Sequence, residues 1–556
     1  MSNPTASESN LASEQQPKEA VSIPISKSEE IQKILQSADT IRESLNNVGK
    51  DTQGIHFHFI TIDKYSVDQR GSGDNFFGEI KSNRDVVIGD QTRKENKASD
   101  NTKSEESISQ SAKKGDIDNN ASQPNENLSE EIDEWFNRHT DFSLSSLMIS
   151  LSVLNGCRED VFFDMSSKLQ QYLARHFDLV AQTSAQENSA NSSKEFLNKK
   201  SSLLKILNAT FADGKEHTEY GISNVKLLQF SNSDYQDAVL SHVWNERWSW
   251  REPLLEWLLE LGSHKSFQVR AKAADAVGNI ICFDAFETIR SKVLMLWSKS
   301  PEPSTRRLVG RALSIPIIKD CHTNEVLTLL RHWITLKDDF NLRWTATVAH
   351  YSDICLFFPK ETIKNINKAV QANDWLLFFA LADTLLGMFE AGQIKEDLYM
   401  TVLKTLIEWA NEKRTSMAYQ LSQIVFWSIM HETKSSPEGE TTHCPTPLWL
   451  FTKDEEYRKA FSTLLRQSLF GEKLHLDMIF SEVRNWLENS VKDEKLYRKV
   501  RYVIYTVLDE GSEPEAIRLL RYLIWWRDSF RMEIAGRILL ELKPHLKQEY
   551  GKLLQN

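Results

Sequence analysis

Glycine and proline are scarce, at 20 and 14 of 556 residues, roughly half of average usage. A sandwich or barrel needs a turn about every 8–12 residues, so this shortage argues against an all-β fold and for long helices. An excess of positive charge is also missing. The net charge is −11, a poor starting point for nucleic-acid binding, which works mainly through phosphate neutralisation. The five cysteines (Cys157, Cys282, Cys321, Cys355 and Cys444) are odd in number and widely scattered, with no short repeated spacing. That pattern predicts neither a disulfide framework nor a zinc module, and it suits a reducing compartment. The opening MSNPTASESN has no basic start and no apolar core, so no secretory signal is predicted. The longest apolar run, WLLFFALADTLLGMF from Trp375 to Phe389, reads as too short for a bilayer and contains Asp383. Together these absences predict a soluble, cytoplasmic protein.

What is present is unevenly spread. All fifteen tryptophans lie at or after Trp135, while six of the twenty glycines fall between Gly49 and Gly89. Residues 1–27 are polar and rich in Ser and Glu, a composition that predicts disorder. Over 28–50, Ile31, Ile34, Ala38, Ile41, Leu45 and Val48 alternate in steps of three and four, and Gly49 is placed to end the helix. Two readings stay open, a short coiled coil or an amphipathic helix docked on the body. Residues 51–90 are Gly/Asp-rich with a period-two stretch, GIHFHFIT, and read as short β strands. So little apolar mass does not fold alone. Residues 28–90 are therefore expected to self-associate, with Ile34, Ile41 and Leu45 in the seam. Residues 91–127 are polar and read as a disordered linker.

Residues 128–232 form a compact unit. Three helices, the second of the segments ending at Gly156, lead to strand-like pieces around Gly221, the element order of a winged helix. From 233 to 556 the chain reads as helix after helix. Tryptophan recurs at Trp257, Trp297, Trp333, Trp409, Trp449, Trp486 and Trp526, at intervals of 40, 36, 76, 40, 37 and 40, with one member missing near Gln371. Most sit in Leu-x-x-Trp. A second marker, an arginine opening a small-residue helix, recurs at Arg270, Arg307 and Arg343 with spacings of 37 and 36. Two markers sharing one period predict roughly eight helical hairpins, none of which buries its apolar stripe alone. The expected fold is mainly α, an α-solenoid preceded by a winged-helix-like unit.

The helix VRAKAADAVG (269–278) and its period resemble HEAT repeats. The stretch from Leu147 to Ile280, including LSVLNGCREDVFFDMSSKLQQYL, EYGISNVKLLQFSNSDYQDAVLSHVWNE and LLEWLLEL, resembles the C-terminal region of bacterial STAND-type NTPases. In that family a winged-helix element follows the ATPase core and leads into helical repeats. Here a polar linker occupies the place of the core, and G-x-x-x-x-G-K-[ST] is absent. NNVGKDT (46–52) lacks the first glycine and has Asp51 where magnesium needs a hydroxyl. The family's nucleotide chemistry is not carried over to any residue, and ATP binding is not expected.

The chemistry-bearing side chains read mostly as structural. Arg270, Arg306, Arg307, Arg311 and Arg343 suit an inter-repeat ladder of bidentate bonds better than a phosphate strip. Tryptophans at a fixed repeat phase read as core. Trp244, Trp248 and Trp250 fall outside that register and, with Arg306 and Arg311, are the candidate partner contacts. His56-x-His58, Cys321-His322 with His332, and His431 with His443-Cys444 lack metal-ligand spacing. Cys157 has no His/Asp arrangement to activate it, and GxSxG is absent. No catalytic residue, cofactor or metal is expected. The expected function is a non-catalytic scaffold or regulatory component recognising a protein partner on the repeat surface. The STAND resemblance implies a bacterial signalling or defence setting. Alternatives are a winged-helix regulator associated with nucleic acid, against which Lys199, Lys200 and Lys205 form only a short basic cluster, and the partner half of a split STAND-type system whose ATPase or effector is separately encoded.

Overall fold

The computed structural model describes residues 126–177, 200–218, 221–351, 353–431, 444–471 and 473–545. The expectations for 1–27, for the helix carrying Ile34, Ile41 and Leu45, for the 51–90 β segment and for the linker as far as 125 lie outside these residues.

Helix α1 spans Glu126–Arg138 and α2 spans Phe142–Leu154. The Asp141 side chain caps α2 by accepting from Ser143 N at 3.0 Å. Every residue from Ser145 to Leu154 is buried, as a helix apolar all round requires. It ends where Gly156 adopts φ +80, a left-handed turn that glycine takes without penalty. The turn aims β1 (Cys157–Arg158) at the sheet, and α3 (Glu159–His176), α4 (Lys200–Ile206), β2 (Ala209–Thr218) and β3 (Gly221–Phe230) follow. The sheet order is β1-β3-β2, antiparallel throughout, with Cys157 opposite Leu228 and Ala209 opposite Phe230. The Asn155 carboxamide holds the corner, accepting from Phe230 N at 2.9 Å. Helix α5 (Tyr235–Glu246) then packs on α1 and α2.

Eight helical hairpins follow among the described residues. They are α6 (Arg251–Gly262) with α7 (Phe267–Ile280), a π-interrupted α8 over 286–298 with α9 (Pro303–Ile318), and α10 (Thr323–Trp333) with α11 (Phe340–Ala349) and its short continuation α12 (Asp353–Phe357). Next come α13 (Pro359–Gln371) with α14 (Phe378–Glu390) and α15 (Asp397–Ala410) with α16 (Met417–His431). The last three are α17 (Thr446–Lys453) with α18 (Glu455–Leu469), α19 (Lys473–Ser490) with α20 (Glu494–Glu510), and α21 (Glu513–Ser529) with α22 (Glu533–Leu542). The second helices stack in sequence, α7 on α9, then α11, α14 and α16. The chain is a mainly α, HEAT-like solenoid.

The tryptophan period maps onto this order. Trp257, Trp297, Trp333, Trp409, Trp486 and Trp526 are buried in the first helices of their hairpins. Trp449, which departs from the Leu-x-x-Trp pattern, is only partly buried. The missing member corresponds to the end of α13, where Ala369 and Val370 stand. That helix packs on α12, α15 and α16, a departure from the simple hairpin that goes with the loss of the large side chain. Beyond α16 the layers exchange, since α18 packs on α15 while α19 packs on α16. Regular sequence spacing therefore conceals a change in stacking.

Close packing explains two glycines. A Cβ on Gly262 would lie 2.5 Å from Trp297 Nε1, and one on Gly278 would lie 2.6 Å from Ala312 O. The solenoid is also tied to the unit before it. Trp257 Nε1 donates to Met165 O at 3.0 Å, and Glu260 accepts from Lys168 Nζ at 2.7 Å and Tyr172 Oη at 2.9 Å.

Two expectations are corrected. The apolar helical stretch around α14 runs from Trp375 to Gln393, 19 residues, long and apolar enough to cross a membrane by length and composition. Here it packs between α11 and α16 as a repeat helix. Secondly, Cys282 and Cys321 form a disulfide. Their separation of 39 residues is one repeat, so stacking brings together residues that look scattered in the chain.

Candidate interaction surfaces

The recurring arginines close the turns that precede their own helices. Arg270 Nη1 donates to His264 O (2.7 Å) and Lys265 O (3.0 Å). Arg306 Nη1 donates to Ser300 O (2.8 Å) and Pro301 O (3.0 Å), and Arg343 Nη1 to Leu336 O (2.8 Å) and Lys337 O (2.6 Å). These carbonyls lie in the turn beyond the first helix, outside any helical ladder, and one guanidinium answers two of them. The structural register is thus 270, 306 and 343, one residue from the alignment through Arg307. Arg306 is buried with its guanidinium 4.5 Å from the Trp344 ring centre, whereas Arg307 is exposed.

Other bonds run between hairpins. Arg311 pairs with Asp275 through two bonds of 2.7 and 2.8 Å, Arg343 Nε donates to Asp374 at 2.8 Å, and Arg331 Nε donates to Glu361 at 2.8 Å. Arg306 and Arg311, offered above as partner contacts, thus engage groups within the chain. The three tryptophans outside the repeat register separate. Trp244 is buried, with Arg251 Nε donating to its carbonyl at 2.6 Å. Trp250 is half-buried beside Phe136 and Phe142. Trp248 is 75% exposed.

A second periodic feature escaped the sequence reading. Ile318, Phe357 and Ile394 are 49%, 51% and 52% exposed; Ile318 and Phe357 are the last residues of α9 and α12, and Ile394 stands shortly after α14. Because the hairpins stack, the three lie along one edge. Trp375, Leu376 and Phe379 are exposed where α13 turns into α14, at the opposite end of the helices. Nothing in the chain distinguishes these from core apolar residues, because their exposure depends on where each helix stops.

Between these edges lies a cluster around Arg307, Tyr351 and Asp383. Burial pushes the Asp383 carboxyl up to about 7, against the opposing pull of Arg307. Burial, helped by Glu390 and Asp383, also raises the Tyr351 phenol. The Tyr351 ring lies so close to α14 that a Cβ on Gly387 would come within 2.2 Å of it. Nearby, His350 is fully buried, its ring nitrogens 3.3 Å from Thr362 Oγ1 and Asn365 Nδ2, and burial lowers it to about 4.

These two groups load stability in opposite directions. The unfolded His350 takes up a proton near 6.5 and the folded one only near 4, so stability should fall as pH drops from 6.5 to 4. Asp383 titrates near 3.8 when unfolded and near 7 when folded, so its contribution should decline as pH rises from 3.8 to 7. Asp383→Asn should therefore raise the melting temperature at pH 8 and do little near pH 4. An equal effect at both pH values would refute this account.

Two hollows lie in the unit before the solenoid. One of about 310 Å³ is lined by Glu131, Trp135, Lys205, Asn208 and Tyr235, and the Tyr235 hydroxyl donates to Glu131. The other, about 410 Å³, includes Ser143, Ser166 and Lys200. Lys200 bridges to Glu159 at 2.5 Å and lies 4.2 Å from the Phe211 ring centre. Among the described residues no group of three or more His, Cys, Asp or Glu is placed to hold a metal ion. Cys157 is a buried strand residue.

No family model matches the sequence, and no curated protein matches it. Solved structures similar to it include an engineered protein, 16% identical with a TM-score of 0.23, covering 56% of this chain and 86% of that one. Importin beta in an ammonium sulfate condition is 13% identical with a TM-score of 0.26, covering 71% and 49%. Importin beta in a polyethylene glycol condition is 12% identical with a TM-score of 0.25, covering 74% and 57%. The chain spans about half the length of these importin structures.

Proposed function

We propose that the chain is a non-catalytic scaffold or regulatory component that recognises a protein partner on the surface of its helical repeats. The row Ile318, Phe357 and Ile394 carries this reading. Large apolar side chains left in water at successive hairpins offer a protein partner burial at several points at once, and exposed apolar groups in register favour such contacts. Arg270, Arg306, Arg311 and Arg343 are engaged within the chain, which makes a phosphate-binding strip the weaker use of this surface. Trp248 adds a large aromatic group that burial in an interface would reward.

Crosslinking on the full chain, followed by binding of the purified partner, tests the proposal. Phe357→Asp with Ile394→Asp should weaken that binding about tenfold or more and leave the melting temperature unchanged. Undiminished affinity would move the contact elsewhere. The cytoplasmic setting, the self-association of 28–90 and the absence of a cofactor belong to the same proposal. A signalling or defence role, or pairing with a separately encoded ATPase or effector, rests on the STAND resemblance alone.

One observation favours a second reading. Helix, short strand, two helices and a hairpin with strand order β1-β3-β2 support a winged helix, and with it nucleic-acid association. Charge opposes it, since Lys200 is already paired with Glu159. The chain should bind duplex DNA weakly and lose it as salt rises. Sequence-specific retention at physiological salt would favour this second reading.

A further inference from the structure

Cys282 and Cys321 lie in the turns that follow α7 and α9. Stacking of those helices sets their Cα atoms 5.6 Å apart, and the sulfurs are joined, at a separation that disulfides ordinarily span. Both residues are partly exposed, so a small thiol can reach them. Cys157 and Cys355, by contrast, are buried.

The disulfide is one of several ties between these hairpins. Next to it, His322 lies between two carboxylates, Nε2 3.7 Å from Asp284 and Nδ1 3.5 Å from Glu325, and its ring stacks on Phe286 at 5.8 Å. Further along the helices, Gly278 meets Ala312 and Ile315, and Arg311 holds Asp275. The interface between α7 and α9 therefore persists without a covalent bond. The corner itself is the less regular part. Phe283 and Asp284 leave helical geometry, and Asp284, Asp320 and His322 all have φ between 52 and 61. Segments without a continuous helical ladder open most readily.

We propose that Cys282 and Cys321 are a reversible redox modification site, a thiol–disulfide clamp between two adjacent hairpins that exchanges with low-molecular-weight thiols and disulfides of the glutathione class. In the closing direction one cysteine thiolate attacks a sulfur of the small disulfide, and the first small thiolate leaves. The second cysteine thiolate then attacks the cysteine sulfur of the mixed disulfide and expels the second small thiolate. Two electrons pass from the protein sulfurs to the small disulfide, and the two cysteine protons end on the two released thiols. Opening runs in reverse and consumes two small thiols. Closed, the clamp fixes the spacing of two hairpins at one edge. Open, the corner keeps the contacts of His322, and the two turns gain freedom while the helices stay packed. This inference goes beyond the scaffold reading and does not depend on it.

The test equilibrates the native full chain in buffers of graded reduced-to-oxidised glutathione ratio, traps free thiols by alkylation, and maps the peptides. Cys282 and Cys321 should pass together between alkylated and crosslinked forms, reversibly and without denaturant. Amide exchange over 281–289 and 319–326 should become severalfold faster on reduction, with the centres of α7 and α9 unchanged. Cys321→Ser should leave Cys282 able to take up one glutathione, and the double Cys282→Ser, Cys321→Ser variant should exchange like the reduced protein in every buffer. A pair that remains reduced at all ratios, that opens only in denaturant, or whose two states exchange alike would overturn the proposal.

Discussion

Replacing Trp297 with Ala should lower the stability of the chain by about 3–5 kcal/mol, the cost of emptying a large buried aromatic site. The indole sits at the end of α8 against Gly262, so close that no side chain is tolerated at that glycine without rearrangement. A neighbour held this rigidly does not collapse into the vacated space, which places the cost toward the upper end. Trp333, buried in the next hairpin, should behave alike. Trp449, only partly buried, should cost roughly 1 kcal/mol. Because hairpins stack on their nearest neighbours, limited proteolysis of the Trp297 variant should cut first in α6 to α11. Thermal or chemical melting that places Trp297→Ala and Trp449→Ala within experimental error of each other would refute the assignment of the periodic tryptophans to the core.

Arg343→Ala should cost about 2–4 kcal/mol. This guanidinium satisfies Leu336 O and Lys337 O in its own turn and Asp374 in the next hairpin. The side chains of Arg343 and Asp374 are largely withdrawn from solvent, at 14% and 18% exposure. Its removal leaves two carbonyls and a carboxylate short of donors, whereas an exposed pair such as Lys404 with Glu456 should contribute little when broken. A double-mutant cycle with Asp374→Asn separates the parts. Coupling of at least about 1 kcal/mol is expected for the ion pair, with the remainder assigned to the turn. No loss in Arg343→Ala, or no coupling in the cycle, would show that the inter-hairpin bond has no energetic role.

Much of this architecture was legible in the linear chain, because a repeat writes its period into the sequence. A helix that must bury one large side chain per hairpin spaces its tryptophans by the length of the hairpin, so Trp257, Trp297 and Trp333 announced both the unit and its core. The gap near Gln371 marked the hairpin whose first helix packs differently. The arginine marker was legible for the same reason, but its register was not. Arg306 and Arg307 are adjacent, and only the direction of each side chain off α9 decides which reaches the preceding carbonyls.

The rest depended on stacking. A spacing of 39 residues between two cysteines means nothing until one hairpin lies on the next, and then it sets both thiols at one corner. Ile318, Phe357 and Ile394 resemble any other core residue in composition, and they are exposed because each stands where its helix ends. Asp383 looks like a stray charge in an apolar run, but its environment comes from Arg307 and Tyr351 on other hairpins. The period along the chain determined what each unit is. The contacts between units, which join residues one or two periods apart and change order after α16, were decided only in three dimensions.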